Sequence, residues 1–386
     1  MGIYLNSSAA CTLYRSDAAK PYFIDKSMLL EELMPLAEQG GHYICITRPR
    51  RFGKTMAANM IAAFFSKGAD SRSLFDSLNI GKSDLYPAHL NQHNVIHISF
   101  NKLPRKCRDY TQYIERIEHQ LTEDLMEVYP DIPVRDTDAI WDILMKVHTG
   151  SRGERFIFVL DEWDFIFHRD FITQQNKEDY IDFLSSLLKD QPYVELAYMT
   201  GILPIAKYSS GSELNMFLEY TMTAREKYSE YFGFTEAEVD LLYERYLRFH
   251  PSPAISREGL TRWYDGYQTI SGKKLYNPRS VVAALSDGQL GSYWTSSGPY
   301  DEIFYYIERD IDQVRNDLAL MISGTPVPAN IQEYAATSME LTTRDEIFSA
   351  MVVYGFLTYK DGCVSIPNKE LMDKFADMIR KHLLSS

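Results

Sequence analysis

Gly53-Lys54-Thr55 and Asp161-Glu162 are the residues of this chain whose types and spacing could do chemistry. The first triplet closes the stretch TRPRRFGKT and opens an apolar helical pattern. A glycine, an ammonium and a hydroxyl at a helix start suit a phosphate chain, because unpaired backbone N–H groups point outward there. The second pair closes the apolar run FIFVLDEWD. One carboxylate at a strand end can hold a divalent cation, and its neighbour can orient or deprotonate an attacking water. In this arrangement Lys54 reaches the β- and γ-phosphates of ATP, Thr55 and Asp161 hold Mg²⁺, and Glu162 positions the water. The expected nucleotide contacts run from Arg50 and Arg51 through Phe52, Gly53, Lys54, Thr55 and Met56. Thr200, in ELAYMTG, either brings its hydroxyl near the γ-phosphate as a catalytic sensor or simply ends a core strand. Asp164 either orders the loop after Glu162 or serves a turn.

Such residues need a scaffold that brings them to one edge. HYICIT before the triplet and MAANMIAAFFSKG after it predict a buried strand and a helix apolar on most sides. NVIHISF, RFIFVLDEWD and VELAYMTGIL predict further strands, and Leu74–Ile80 a minor one. Between them lie helical patterns, including YFIDKSMLLEELMPLAEQGG, with Asp25 or Ser27 as cap and a last turn put in question by Pro35. Nearly all-apolar strands alternating with helices indicate an α/β fold, a parallel sheet covered on both faces. FTEAEVDLLYERYLRF begins a mainly helical region with a capping box at Thr235 and Glu238. RDEIFSAMVVYG followed by FLTYKDGCVSIP, a hairpin turning at Asp361-Gly362, resembles a winged-helix unit. The expected organisation is a lead over 1–20, a P-loop core over 21–215, a helical lid over 216–300 and a helical, winged-helix-like region over 301–386.

Arg48-Pro49-Arg50-Arg51 stands where a general phosphate loop begins with glycine. Arg48 forgoes easy access to positive φ, and Pro49 has no N–H to donate. The arginines either compensate with charge-assisted bonds to phosphate or face away and pair with acidic neighbours.

A net charge of −13 over 386 residues sets a field that repels nucleic acid and anionic lipid. Against it stand two short basic runs, Arg48–Arg51 and Arg105-Lys106-Cys107-Arg108. The four cysteines are widely spread, which argues against a zinc cluster or a disulfide framework and for reduced thiols. No apolar run approaches the roughly 18–20 residues of a membrane span, and the first residues lack a secretory pattern, so a cytoplasmic protein is expected. The 27 tyrosines suit either an aromatic groove for single strands or, more simply, helix packing.

The motifs YFIDKS, TRPRRFGKT, FVLDEWD, YMTGILPIAKYSSGSELNMF, YFGFTEAEV, WYDGY, YNPRSV and YWTSSG together closely resemble the predicted AAA-ATPase-like family of bacteria. The likeness runs from about residue 3 to IPNKE near residue 370. It implies a loop of the form R-P-R-R-F-G-K-[ST], a P-loop NTPase core with a catalytic glutamate after the metal-binding aspartate, and helical and winged-helix-like regions beyond. Members commonly continue into a nuclease-like domain, for which the last hundred residues here show no acidic-lysine strand pattern. Arg279, in YNPRSV, either acts as a lid sensor near the γ-phosphate, with Pro278 against the adenine, or stands in a helix start capped by Asn277. Arg225 and Arg262 are weaker alternatives for that task.

The expected function is Mg²⁺-dependent ATP hydrolysis coupled to a conformational change in the C-terminal region. The alternatives are a nucleotide-gated module that acts on a protein partner or nuclease-like module with little turnover, and a DNA-binding switch working through Lys369, Lys374, Arg380 and Lys381.

Overall fold

A computed structural model describes residues 2–205, 211–294, 312–331, 341 and 343–385. Residues 206–210 and 295–298 of the quoted motifs therefore lie outside the described residues, as does part of the expected 301–386 region. The chain forms two compact units. One comprises Met1–Ile46, Lys54–Gly201 and Tyr208–Glu219, and the other Thr47–Gly53, Ile202–Lys207 and Tyr220–Ser386.

The first unit contains α1 (Ala9–Ala18), α2 (Leu29–Gln39), β1 (His42–Thr47), α3 (Lys54–Phe65), β2 (Asn94–Ser99), α4 (Tyr110–Val128), α5 (Ile140–Gly150), β3 (Phe156–Asp161), α6 (Gln174–Leu188), β4 (Val194–Gly201) and β5 (Leu218–Tyr220), except that Thr47 and Tyr220, the last residues of β1 and β5, group with the second unit. The strands form one sheet in the order β2-β3-β4-β1-β5. β3 runs parallel to β2 and to β4, with Ser99 opposite Asp161 and Leu160 opposite Met199. Phe156 to Leu160 are fully buried, which is why this strand reads as a continuous apolar run. α3 is likewise buried along most of its length and packs on β2, β3 and β4. The architecture is α/β, a P-loop NTPase sheet with helices on both faces.

The edge strand β2 is covered by the chain's own start. Asn6 N donates to Val95 O at 2.8 Å and His97 N to Tyr4 O at 3.0 Å. Buried Asp124 on α4 holds that segment down, accepting from the backbone N–H groups of Ile3, Tyr4 and Leu5 at 3.1, 2.6 and 3.0 Å. An edge covered in this way is not open to pairing with another chain.

The second unit is mainly helical. α7 (Glu236–Phe249) starts at the expected capping box, with Glu238 N donating to Thr235 Oγ1 and Thr235 N to Glu238 Oε2. After α8 (Arg257–Tyr264), strands β6 (Tyr267–Gln268) and β7 (Lys274–Leu275) pair antiparallel and lead into α9 (Pro278–Asp287). α10 (Asp312–Ile322), β8 (Val327–Pro328), α11 (Arg344–Tyr354), β9 (Thr358–Lys360), β10 (Cys363–Ser365) and α12 (Lys369–Ser385) complete it. β9 and β10 turn at Asp361 and Gly362, both at positive φ, as a two-residue hairpin requires. With β8 they make a three-stranded antiparallel sheet, giving the unit its winged-helix-like end.

Two local expectations are corrected. Leu74–Ile80 is not a strand: it holds a helical turn, Arg72–Phe75, and a 3₁₀ turn, Asn79–Lys82, which bury Leu74, Phe75 and Ile80 through local i→i+3 and i→i+4 bonds. Neither Asp25 nor Ser27 caps α2. They hold that 3₁₀ turn instead, Asp25 accepting from Asn79 N at 2.7 Å and Ser27 from Ile80 N at 3.1 Å. α2 continues through Pro35 to Gln39 and stops at Gly40, at φ +76°. Among the described residues no helix is long and apolar enough to cross a membrane.

Candidate functional site

At the carboxyl end of β3, Asp161 is buried, and its two oxygens have different surroundings. Oδ1 accepts from Thr200 Oγ1, on β4, at 2.5 Å. Oδ2 has no hydrogen-bond partner among the described residues. A buried carboxylate oxygen left open is costly unless something else binds it. His97 faces this carboxylate from β2; burial pushes its pKa below the ordinary value, against the pull of the Asp161 charge.

The chain turns sharply after Asp161. Glu162 sits in the left-handed region at φ +55°, unusual for a side chain of this kind. The turn is pinned to β4 by Trp163 N donating to Thr200 O at 3.0 Å. Close approach fixes the residue opposite: a Cβ on Gly201 would lie 2.4 Å from the buried Trp163 ring. Asn101, two residues beyond β2, donates from Nδ2 to Glu162 Oε1 at 3.1 Å. Sequence reasoning missed Asn101; the available signal was an amide just past a strand that ends at the same sheet edge. Asp164 is buried at the entrance to a 3₁₀ turn, Phe165–His168.

α3 begins at Lys54, immediately after Gly53 at φ +89°. Only glycine takes that conformation without strain, so the glycine of the triplet is a backbone requirement. Lys54 is largely buried, while Thr55 and Met56 are exposed. Since α3 packs on β3, the first unit brings the helix that starts with Lys54-Thr55 onto the strand that ends in Asp161. Thr55 and Asp161 offer hard oxygen donors, the kind Mg²⁺ takes, and the open Oδ2 fits such a cation.

Thr47–Gly53 groups with the second unit, where the arginines have the following contacts. Arg48 is 1% exposed. Its Nη1 donates to Thr47 O and Tyr220 O, both at 2.7 Å, its Nη2 donates to Ser229 Oγ, and its plane lies over the Phe232 ring. Arg51 takes positive φ, +69°, and donates to Tyr293 O at 2.8 Å, with the Glu370 carboxylate near enough to feel its charge. Phe52 is fully buried, edge-on to Tyr267. Arg50 is half-buried. Positive φ in this loop therefore falls at Arg51 and Gly53, not at the entrance where Arg48 replaces a glycine.

Arg279 is exposed on the first turn of α9, behind Pro278, and Asn277 caps that helix by accepting from Ser280 N at 3.2 Å. Lys54, Thr55, Met56, Asp161, Glu162 and Thr200 thus belong to the first unit, and Arg50 to Gly53 and Arg279 to the second.

Among curated proteins, the chain is 28% identical over 282 residues to "Uncharacterized protein in vnfD 5'region" of Azotobacter chroococcum mcd 1, covering 72% of this chain and 51% of that protein. The chain thus spans about half the length of that relative. Similar solved structures include the Walker-type ATPase PABY2304 of Pyrococcus abyssi (TM-score 0.48, 9% identity, 91% of this chain and 94% of that one). Another is the Aeropyrum pernix ORC2 protein in its ADPNP-ADP complexes (TM-score 0.43, 12% identity, 92% and 93%). Residues 16–210, the stretch that holds both motifs, match the Predicted AAA-ATPase family. With its P-loop sheet and half its length so matched, the chain belongs to that family.

Proposed function

We propose that this chain binds ATP with Mg²⁺ and hydrolyses it. The observation that carries the reading is Asp161: one oxygen is held by Thr200, and the other is buried and open at the end of the strand on which α3 packs. Lys54 and the first N–H groups of α3 stabilise phosphate charge. Thr55 and Asp161 hold the cation, which when bound neutralises charge on the phosphate oxygens. Glu162 orients the attacking water and accepts its proton. Arg48, Arg51 and Phe52 are bonded into the C-terminal unit, so a change of loop conformation on nucleotide binding is transmitted there.

The test is binding of ATP and GTP with and without Mg²⁺, together with turnover, for the native chain, Lys54→Ala and Glu162→Gln. Lys54→Ala should lose nucleotide binding. Glu162→Gln should keep it and slow turnover by about 10²-fold or more. Undiminished binding in Lys54→Ala would overturn the proposal.

One observation favours a second reading, a nucleotide-gated switch with little turnover. The Glu162 carboxylate already accepts from Asn101, which restrains the group that would orient water. Under this reading the native chain binds ATP tightly with negligible turnover, and Glu162→Gln leaves its output intact.

A further inference from the structure

The segment that follows Asn101 carries a feature the nucleotide reading does not use. Arg105, Lys106 and Arg108, with Arg116 on α4, line an open groove of about 490 Å³. Glu115 is its only carboxylate and Pro104 its only apolar lining residue. All four cations are exposed, and none has a carboxylate within ion-pair distance among the described residues. The nearby Asp109 carboxylate is engaged as the cap of α4, accepting from Gln112 N at 2.9 Å.

In a chain of net charge −13, four clustered cations without acidic partners concentrate positive potential where the rest of the surface repels anions. The groove has no apolar pocket, and its one aromatic lining group is the His119 imidazole. A protein partner would normally contribute buried apolar or aromatic anchors, and this groove offers them no seat. A base finds only the His119 imidazole and the guanidinium planes to stack on, with no large aromatic ring. What it can hold is a repeating anion recognised by charge alone. Gln112, Arg116 and His119 share one face of α4 by their spacing, covering about 10 Å along the axis, close to the rise of three nucleotides at about 3.4 Å each.

We propose that this groove binds the phosphodiester backbone of a nucleic-acid strand, without reading its sequence. The site lies in the first unit, distinct from the winged-helix-like end, and does not depend on ATP being bound or hydrolysed.

The test is fluorescence anisotropy of the full chain, free of nucleotide, with a labelled 20-mer as a single strand and as a duplex, across a salt series. With about four phosphate contacts, log K should fall against log salt with a slope of about −2.8 for the single strand and about −3.6 for the duplex, and the tighter arm identifies the strand state recognised. The triple variant Arg105→Glu, Lys106→Glu, Arg108→Glu should lose at least tenfold in affinity while keeping the native melting temperature. The milder pair Arg105→Gln and Lys106→Gln should lose less and reduce the slope. Binding absent at 50 mM salt in both arms would overturn the proposal. So would affinity unchanged by the triple variant, or displacement by polyglutamate of equal charge as readily as by unlabelled oligonucleotide.

Discussion

Thr200 donates its hydroxyl proton to Asp161, so the strand that ends in the acidic pair is tied to its neighbour through the carboxylate itself. Thr200→Val keeps the side-chain shape and removes that bond. Both Asp161 oxygens are then buried without a protein donor, at a cost of roughly 1–3 kcal/mol. The melting temperature should drop, and added Mg²⁺ with ATP should restore more of it than in the native chain. Thermal unfolding with and without Mg²⁺-ATP measures both; an unchanged melting temperature would refute the expectation.

Asn101 and Glu162 form the second tie. Asn101→Ala removes one donor from the carboxylate while leaving α3 and the loop before it untouched. Turnover should rise several-fold with ATP affinity unchanged, as read by a steady-state phosphate assay beside equilibrium binding. A fall in turnover at equal affinity would instead identify the amide as the group that aims Glu162 at water.

Asp124 concentrates three backbone N–H groups on one buried carboxylate. Asp124→Ala strips the chain's start of its anchor and should lower the stability of the first unit by about 1–3 kcal/mol. Hydrogen exchange at Tyr4, Leu5 and Asn6 should accelerate far more than exchange at Phe158. Uniform acceleration would mean the anchor is no more local than any core residue.

Glu370 gives the pH dependence. Burial raises its pKa above the usual carboxylate value, against the donors Tyr293 N, Ser280 Oγ and Trp294 N and the Arg51 charge, which pull it down. A raised folded-state pKa means the folded chain holds the proton more tightly than the unfolded one. Its contribution is therefore fully present below the unfolded value, about 4.3, and is lost as pH rises through the folded value. Glu370→Gln keeps an acceptor for the three donors and carries no charge. The variant should melt higher than the native chain at neutral pH, with the gap closing on acidification toward pH 4. A gap independent of pH would exclude the titration of Glu370 as its cause.

What was legible in the sequence follows from what is local. β1, α3 and β3 announce themselves because buried parallel strands and a buried helix carry apolar side chains in unbroken runs. The Asp361-Gly362 hairpin is legible because two consecutive positive φ values need those residue types. Leu74–Ile80 misled because a short apolar run has no period long enough to separate a strand from two helical turns. Asp25 and Ser27 misled because their partners, Asn79 and Ile80, lie more than fifty positions away. Asn101 and the Tyr220 carbonyl that receives Arg48 are likewise contacts across the chain, which no local pattern encodes.

Arg48 also bears on how such chains can be altered. Its guanidinium joins the carbonyls of Thr47 and Tyr220 and the Ser229 hydroxyl in one buried knot. Grafting a standard glycine at that position would strand two oxygens and slacken the loop's root. The loop Thr47–Gly53 and the C-terminal unit it is bonded into are in this sense one part, to be exchanged together or left alone.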